Sequence, residues 1–427
     1  MDEWRKVRLS ELGEVNRGKS RHRPRDAAHL YGGPYPFIQT GDIKASNGCI
    51  KSHTQTYSEA GLKQSRLWPA GTMTITIAAN IAETAILTYP ACFPDSVVGF
   101  IANPQKANVR FVEYLFRQLK RQIQHENVGT GSVQDNINLQ TLSRLELIVP
   151  ELHEQNKIAS ILGALDDKIE LNRQMNETLE AMARAIFKDW FVDFGPTRAK
   201  MEGRAPYLAP DIWPLFPDCL DDEGKPEGWD FGTLNDVSEL NSEVWSDRNH
   251  PDLVSYIDLS NTKWGVIEQV ENYAWELAPS RARRVLRPGD TIVGTVRPGN
   301  GSFALIGDDN LTASTGFAVL RPRNPIYREF VWCASTSPEN IERLSHLADG
   351  GAYPAVRPDV VSSTATAIPH IAVIEAFSRI CQPLIDKTSA ARDESRSLSS
   401  ARDLLLPKLM SGEIQVRDAA KILETIA

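Results

Sequence analysis

Cysteine is scarce in this chain of 427 residues: Cys49, Cys92, Cys219, Cys333 and Cys381 lie far apart, with no C-x-x-C pair. That spacing argues against a disulfide framework or a zinc site and suits a reducing cytosol. Long apolar runs are also missing. No uninterrupted stretch is long enough to span a bilayer, and "MDEWRKVRLSELGE" is too charged for a signal peptide. The expected setting is cytoplasmic, with no membrane partner. Enzyme signatures are lacking as well: the eight histidines form no H-E-x-x-H, and there is no G-x-S-x-G. Nor is there an excess of positive charge. The net charge of −8, taken alone, argues against nucleic acid.

The charge that is present is patterned. "RGKSRHRPR" (17–25) holds five Arg or Lys and no acid, and "RARRVLR" (281–287) holds four Arg and no acid. One basic run is ordinarily a solvated loop. Two of them, in separate copies of a repeat, point to a phosphate backbone. With 41% hydrophobic and 24% charged residues, the chain suits two or three globular domains.

A repeat is there. "RLWPAGTMTIT" (66–76) resembles "RVLRPGDTIVG" (284–294), with an offset of 218 between Gly71 and Gly289. "DSVVGFIANP" (95–104) answers "TASTGFAVLRP" (312–322), offset by 217 at Gly99 and Gly316. "PYPFIQTGDI" (34–43) matches "LVSYIDLSNT" (253–262) and "LIVP" (147–150) matches "TAIP" (366–369), both at 219. "WRKVRLSEL" (4–12) and "WDFGTLNDV" (229–237) are offset by 225. A nearly constant offset with small drifts is the mark of a duplicated domain. Within each copy, short alternating runs after a Pro/Gly turn predict strands, and 109–124 and 327–336 predict a helix. Each copy is therefore an α+β unit.

A different texture follows each copy. Ile158, Ile161, Leu165, Met175, Leu179, Met182 and Ile186 fall on steps of three and four, leaving Lys168 and Asn172 at seam positions. Adding 219 gives Phe377, Ile380, Leu384, Glu394, Leu398, Ala401 and Leu405, with Lys387 and Ala391 in the polar gap. This is a heptad seam present twice in phase, and the simplest partner for each long helix is the other, as an antiparallel coiled coil. Pro383 and Glu394 weaken the second seam. The Pro-rich, acidic stretch between the copies has no periodicity and reads as a connector.

Two enzyme motifs fail on context. "GEVNRGKS" (13–20) spells G-x-x-x-x-G-K-[ST], yet no buried strand precedes it and no helix start follows it. The second copy reads "SELNSEVW" (238–245) there, without glycine or lysine. "NPIY" (324–327) approaches the N-P-P-[YF] of DNA adenine methyltransferases, but lacks the second proline and a glycine-rich cofactor loop.

The layout resembles the DNA specificity subunit of type I restriction–modification systems over nearly the whole chain. The most specific stretch is 131–191, from "GSVQDNIN" through "LHEQNKIASILGALDDKIELNRQMNETLEAMARAIFKDWF", joined by "KPEGW" and "LLLPKLMSGEI" (404–414). The second copy departs from the pattern, with "GGAYPAVRPDVV" (350–361) in place of "GSVQDNIN". The resemblance implies target-recognition domains at 1–150 and 229–370. It further implies a central repeat helix at 151–200, a connector at 201–228, a distal repeat helix at 371–412 and a C-terminal tail at 413–427. It implies a non-catalytic subunit that binds a bipartite, non-palindromic site in double-stranded DNA. Its partners would be two methyltransferase subunits and the translocase–endonuclease subunits. This chain would hold no cofactor, with S-adenosylmethionine, ATP and magnesium residing in those partners. The competing readings are a coiled-coil scaffold with two protein-binding heads, and a methyltransferase in its own right.

Under the resemblance, contacts come from loops at strand ends. Arg17, Lys19, Arg21, Arg23 and Arg25 suit phosphates, with one or two reaching guanine edges. Gln39, Thr40, Asp42, Asn80, Gln134 and Asn136 carry the donors and acceptors that base reading requires. In the second copy Asp258, Ser260, Asn261, Arg297, Asn300, Tyr353 and Arg357 occupy similar places.

Overall fold

A Pro/Gly turn opens the central strand of each of two sheets. Gly71 and Gly289 adopt φ of 82° and 90°, a left-handed conformation that a side chain would strain. The structure, a computed structural model, describes residues 4–127, 139–351, 353–419 and 421. Its contacts divide the chain into two units, Met1–Leu171 with Glu394–Ala427, and Asn172–Asp393.

In the first unit, strands β1 (Gly13–Arg17), β2 (Cys49–Ile50), β3 (Met73–Thr76), β4 (Thr84–Leu87) and β5 (Val97–Ala102) form one sheet in the order β1-β5-β3-β4-β2. Every residue of β3 and β4 is buried, so their threonines need internal partners. Thr74 supplies one by donating its hydroxyl to the Ala85 carbonyl at 2.9 Å. Met73, Ile75 and Phe100 then pack with Phe111, Ile158 and Leu162 in a single core.

The second unit holds β6 (Ser238–Leu240), β7 (Leu253–Ile257), β8 (Glu271–Ala274), β9 (Ala282–Val285), β10 (Thr291–Gly294), β11 (Phe303–Leu305), β12 (Leu311–Ser314) and β13 (Phe317–Pro322). One sheet runs β6-β13-β10-β11, the same order as β1-β5-β3-β4, and another runs β8-β7-β12-β9. The repeat extends to the unit ends: Arg5–Val7 pairs with Leu147–Val149, and Asp230–Thr233 pairs with Ala365–Ile368.

Helices α1 (Val109–Asn127) and α3 (Arg328–Thr336) follow β5 and β13, and α2 (Leu152–Phe191) and α4 (Ile371–Met410) each run for 40 residues. In both units an arginine at the start of the shorter helix grips an aspartate on a long one. Arg110 donates twice to Asp167, at 2.9 and 2.6 Å, and Arg328 donates to Asp386 at 2.6 Å. Asp167 and Asp386 are equivalent positions of the repeat. The Arg110 hydrogen bond holds the Asp167 carboxyl below its ordinary range. A depressed folded-state pKa stabilises above the unfolded value of about 4 and stops doing so as pH falls through the folded one. Arg110→Ala should therefore lower stability by about 0.5–1 kcal/mol at pH 7, the scale of a partly exposed pair. The gap to wild type should narrow below about pH 4. Urea denaturation at pH 7 and pH 3.5 checks this, and a gap that does not depend on pH would contradict it.

The seam of the long helices differs from its sequence reading. On α2 the inward positions are Ile158, Leu162, Leu165, Ile169, Asn172, Asn176, Leu179 and Ala183, all buried or half-buried. On α4 they are Phe377, Cys381, Leu384, Thr388, Ala391, Ser395 and Leu398, the repeat equivalents of the first seven. Lys168, Met182, Lys387 and Glu394 are exposed, and Ile161, Met175 and Ile380 lie on half-buried flanks. On α2 every second seam residue thus sits one position later than expected, on a step of four rather than three after Ile158, Leu165, Asn172 and Leu179, whereas Ala401 and Leu405 on α4 are buried where expected. The larger apolar residue next door misled the reading: the seam prefers Ala183 and Asn176 over Met182 and Met175. Lys168 instead pairs with Glu394 at 3.2 Å on the outside. Pro383 is exposed and α4 runs through it unbroken.

In the first unit Leu398, Leu405 and Leu409 join the core of Ile158 and Leu165, and Arg402 reaches Asp166 at 2.9 Å. In the second, Phe187 and Trp190 pack with Phe377, Cys381 and Ile385. Past Phe191 comes a separate helix, Gly195–Met201. The stretch expected as a connector contributes to the core of its unit: Ile212 and Phe216 are buried, and Phe216 meets Trp190 edge-on at 5.0 Å.

Candidate nucleic-acid interface

The basic arm begins as an edge strand. Gly13–Arg17 pairs with β5, and the next backbone N–H groups donate onward, Gly18 to Val97 at 2.8 Å and Lys19 to Phe93 at 3.2 Å. These donors are committed to neighbouring chain, so the loop does not cradle a phosphate with its backbone. Its side chains converge on one acid. Arg25 bonds the Asp95 carboxylate at 2.7 Å, Arg23 approaches it at 3.9 Å, and Arg17 donates to the Asp95 carbonyl. Arg21 and Lys19 are exposed. One residue, Asp95, thus orients two of these cations through its carboxylate and a third through its carbonyl, and the segment keeps a net positive face.

The other expected residues of the first unit divide by role. Asp42 accepts from the Gln39 backbone at 2.8 Å and caps the helix Thr40–Ala45, so it serves its own turn. Gln39 donates its side-chain amide to Gln55 at 2.6 Å. Asn80 receives Lys44 at 3.4 Å in the loop joining β3 and β4. Gln134 and Asn136 lie outside the described residues.

In the second unit Asp258 stands at the repeat position of Gln39 and likewise caps a turn, accepting from the Leu259 N–H. It also holds Tyr256 at 3.0 Å and Arg281, so its carboxylate is structural. The run 281–287 is largely spoken for. Arg283 stacks on Trp275 at 4.4 Å, Arg287 pairs with Glu243 at 2.9 Å, and Arg284 is half-buried. A cleft of about 630 Å³ nearby has the same character: Arg321 meets Asp290 at 2.8 Å and Arg392 meets Glu180 along its wall. Arg357 is exposed and reaches Asp359 at 3.1 Å, while Ser260 is exposed and Asn261 half-buried.

The structure adds a feature that neither charge nor motif revealed. The loop between β3 and β4 holds Ala79 and Ala82 at φ of 64° and 61°, and the loop between β10 and β11 holds Arg297 at 47°. Ala79 and Arg297 share the repeat offset of Gly71 and Gly289. A left-handed residue with a side chain costs about 1 kcal/mol or more, and such residues concentrate at functional sites. Beside the second loop, Trp264, missed from the sequence, is 60% exposed and also left-handed. Its signal was slight: a tryptophan before glycine in a short turn.

"NPIY" is a capped turn. Asn324 accepts from the Ile326 N–H at 3.1 Å ahead of α3, as Asn103 accepts from Gln105 at 3.0 Å in the first unit. Among the described residues no group of His, Cys, Asp and Glu could hold a metal ion, and no helix is long and apolar enough to cross a membrane.

Sheets of like order, each with a left-handed hairpin loop and each gripped to a long helix, define a mixed α+β protein with long helices. Residues 1–181 match the family described as type I restriction modification DNA specificity domain. That match ends at residue 181 of 427. The chain is 23% identical over 429 residues to the specificity subunit of the type I restriction enzyme MjaIX of Methanocaldococcus jannaschii, covering 97% of this chain and 94% of that one. It is 26% identical over 380 residues to the HindI specificity subunit of Haemophilus influenzae, covering 74% and 80%. The solved S subunit of a type I restriction–modification system from M. genitalium shares the fold, with a TM-score of 0.56 at 15% identity and 96% of each chain covered.

Proposed function

We propose that this chain is the DNA-recognition subunit of a type I restriction–modification complex. It reads a bipartite, non-palindromic target, with one half-site for each unit. The observation that carries the reading is the repeated hairpin loop, held left-handed in both units and flanked by different side chains in each. Like scaffolds with unlike tips would read unlike half-sites. The long helices act as an antiparallel coiled coil that sets the half-site spacing. Catalysis belongs to the partners: two methyltransferase subunits using S-adenosylmethionine, and translocase–endonuclease subunits using ATP and magnesium. The complex works in the cytoplasm.

The arm at 17–25 is the phosphate contact. Lys19→Ala should reduce the slope of log affinity against log salt by about 0.9, one phosphate's share. The isolated chain should show no saturable ATP binding. Fluorescence titration with a random duplex from low to high salt measures the first, and equilibrium dialysis the second. Salt-independent binding would favour the scaffold with protein-binding heads instead.

A further inference from the structure

The hairpin between β10 and β11 carries more than strain. Arg297 lies at its tip with its guanidinium over the Tyr353 ring, 4.9 Å from the centroid. The stack is supported by backbone. Arg297 donates its N–H to the Pro354 carbonyl at 2.7 Å, Val356 donates to Thr295 at 2.9 Å, and Val296 bridges Ala355. Tyr353 is 72% exposed, so the ring is not there to fill a core. On the other flank Trp264 donates its N–H to Gly301 at 2.7 Å, and its ring lies where a Cβ on Gly301 would fall, 2.6 Å away. Gly301 is therefore required by the tryptophan as well as by its own φ of 70°. Two large aromatics exposed beside one loop mark a surface made for contact.

We propose that Arg297 reads a guanine in the half-site of the second unit, and that Tyr353 is its positioning residue. The inference rests on the DNA-binding reading above. Stacking occupies the face of a guanidinium, while its donors lie in the plane and form a fork that fits guanine O6 and N7. A phosphate needs only a charge nearby, as the arm at 17–25 supplies. An arginine fixed by both a left-handed backbone and a ring is built for direction. In the first unit the equivalent position is Ala79, which offers no such fork, so this guanine contact belongs to one half-site alone.

The test uses the full complex, with methylated sites mapped across a genome and affinities measured on duplexes altered one base pair at a time. Arg297→Lys keeps the charge and loses the fork. It should relax one G·C position in one half-site, with about a 10- to 100-fold loss of discrimination there, and leave the salt slope unchanged. Tyr353→Phe should behave as wild type, and Tyr353→Ala should relax the same position partly. A motif unchanged in Arg297→Ala would overturn the assignment, as would an equal loss of affinity on every sequence, which is the mark of a phosphate contact. Wild-type complex without salt-dependent DNA binding would overturn the DNA-binding reading itself, and this assignment with it.

Discussion

Phe377→Ala should lower the stability of the second unit by about 3–5 kcal/mol, the range for emptying a fully buried aromatic site. The ring is 0% exposed and meets Phe191, Trp190 and Phe187 at centroid distances of 5.0, 6.0 and 6.1 Å. These are tilted and edge-on contacts, which add to the burial. Three rigid rings cannot collapse into the space, so most of a cavity remains. Phe377→Leu should recover more than half of the loss. Urea denaturation followed by tryptophan fluorescence reports directly, since Trp190 and Trp229 sit in this core. A loss under about 1.5 kcal/mol in the alanine variant, the scale of a tolerated volume-conserving swap, would mean that the cluster is looser than its geometry says.

The second large effect concerns spacing. Inserting one heptad after Ile169 and one after Thr388, its counterpart in the repeat, keeps the seam frame and lengthens both helices together. Seven residues add about 10 Å, or about three base pairs of duplex. The mapped target should keep both half-sites and gain that gap. Four-residue insertions at the same points turn each helix by about 40° beyond a full turn, and should abolish methylation rather than shift it. An active heptad variant with an unchanged gap would show that the helices do not set the spacing.

What could be read beforehand follows from the range of each interaction. The repeat was visible because Pro/Gly turns and buried glycines are local requirements: Gly71 and Gly289 must be left-handed, and a Cβ on Gly99 would strike Trp68. Half of the seam was visible too. The rest was not, because three and four residues are almost equally good helical steps. The choice of Leu162 over Ile161, or Ala183 over Met182, belongs to the facing helix. At the site the sequence displayed charge and concealed pairing. Asp95 lies 70 residues beyond Arg25, and Asp258 precedes Arg281 by 23, so nothing nearby betrays either contact. The left-handed loop was invisible for another reason. Alanine and arginine do not announce a positive φ, as glycine and asparagine do.

Asn172 lies at the middle of the seam, 0% exposed, and donates its side-chain amide to the Ala391 carbonyl at 3.3 Å. Those two residues are themselves repeat equivalents, 219 apart. Were either helix to slide by a heptad, the amide would meet Leu384 or Leu398 in place of Ala391, whose bulk would hold it off the backbone carbonyl and forfeit about 1–3 kcal/mol. A measuring rod needs a zero mark as well as a length. If the long helices space the half-sites as proposed, leucines alone would let the scale creep by seven-residue steps, and sites of several gauges would be accepted. On that proposal one amide on one carbonyl fixes the origin, and an Asn172→Leu variant should gain grease and lose calibration.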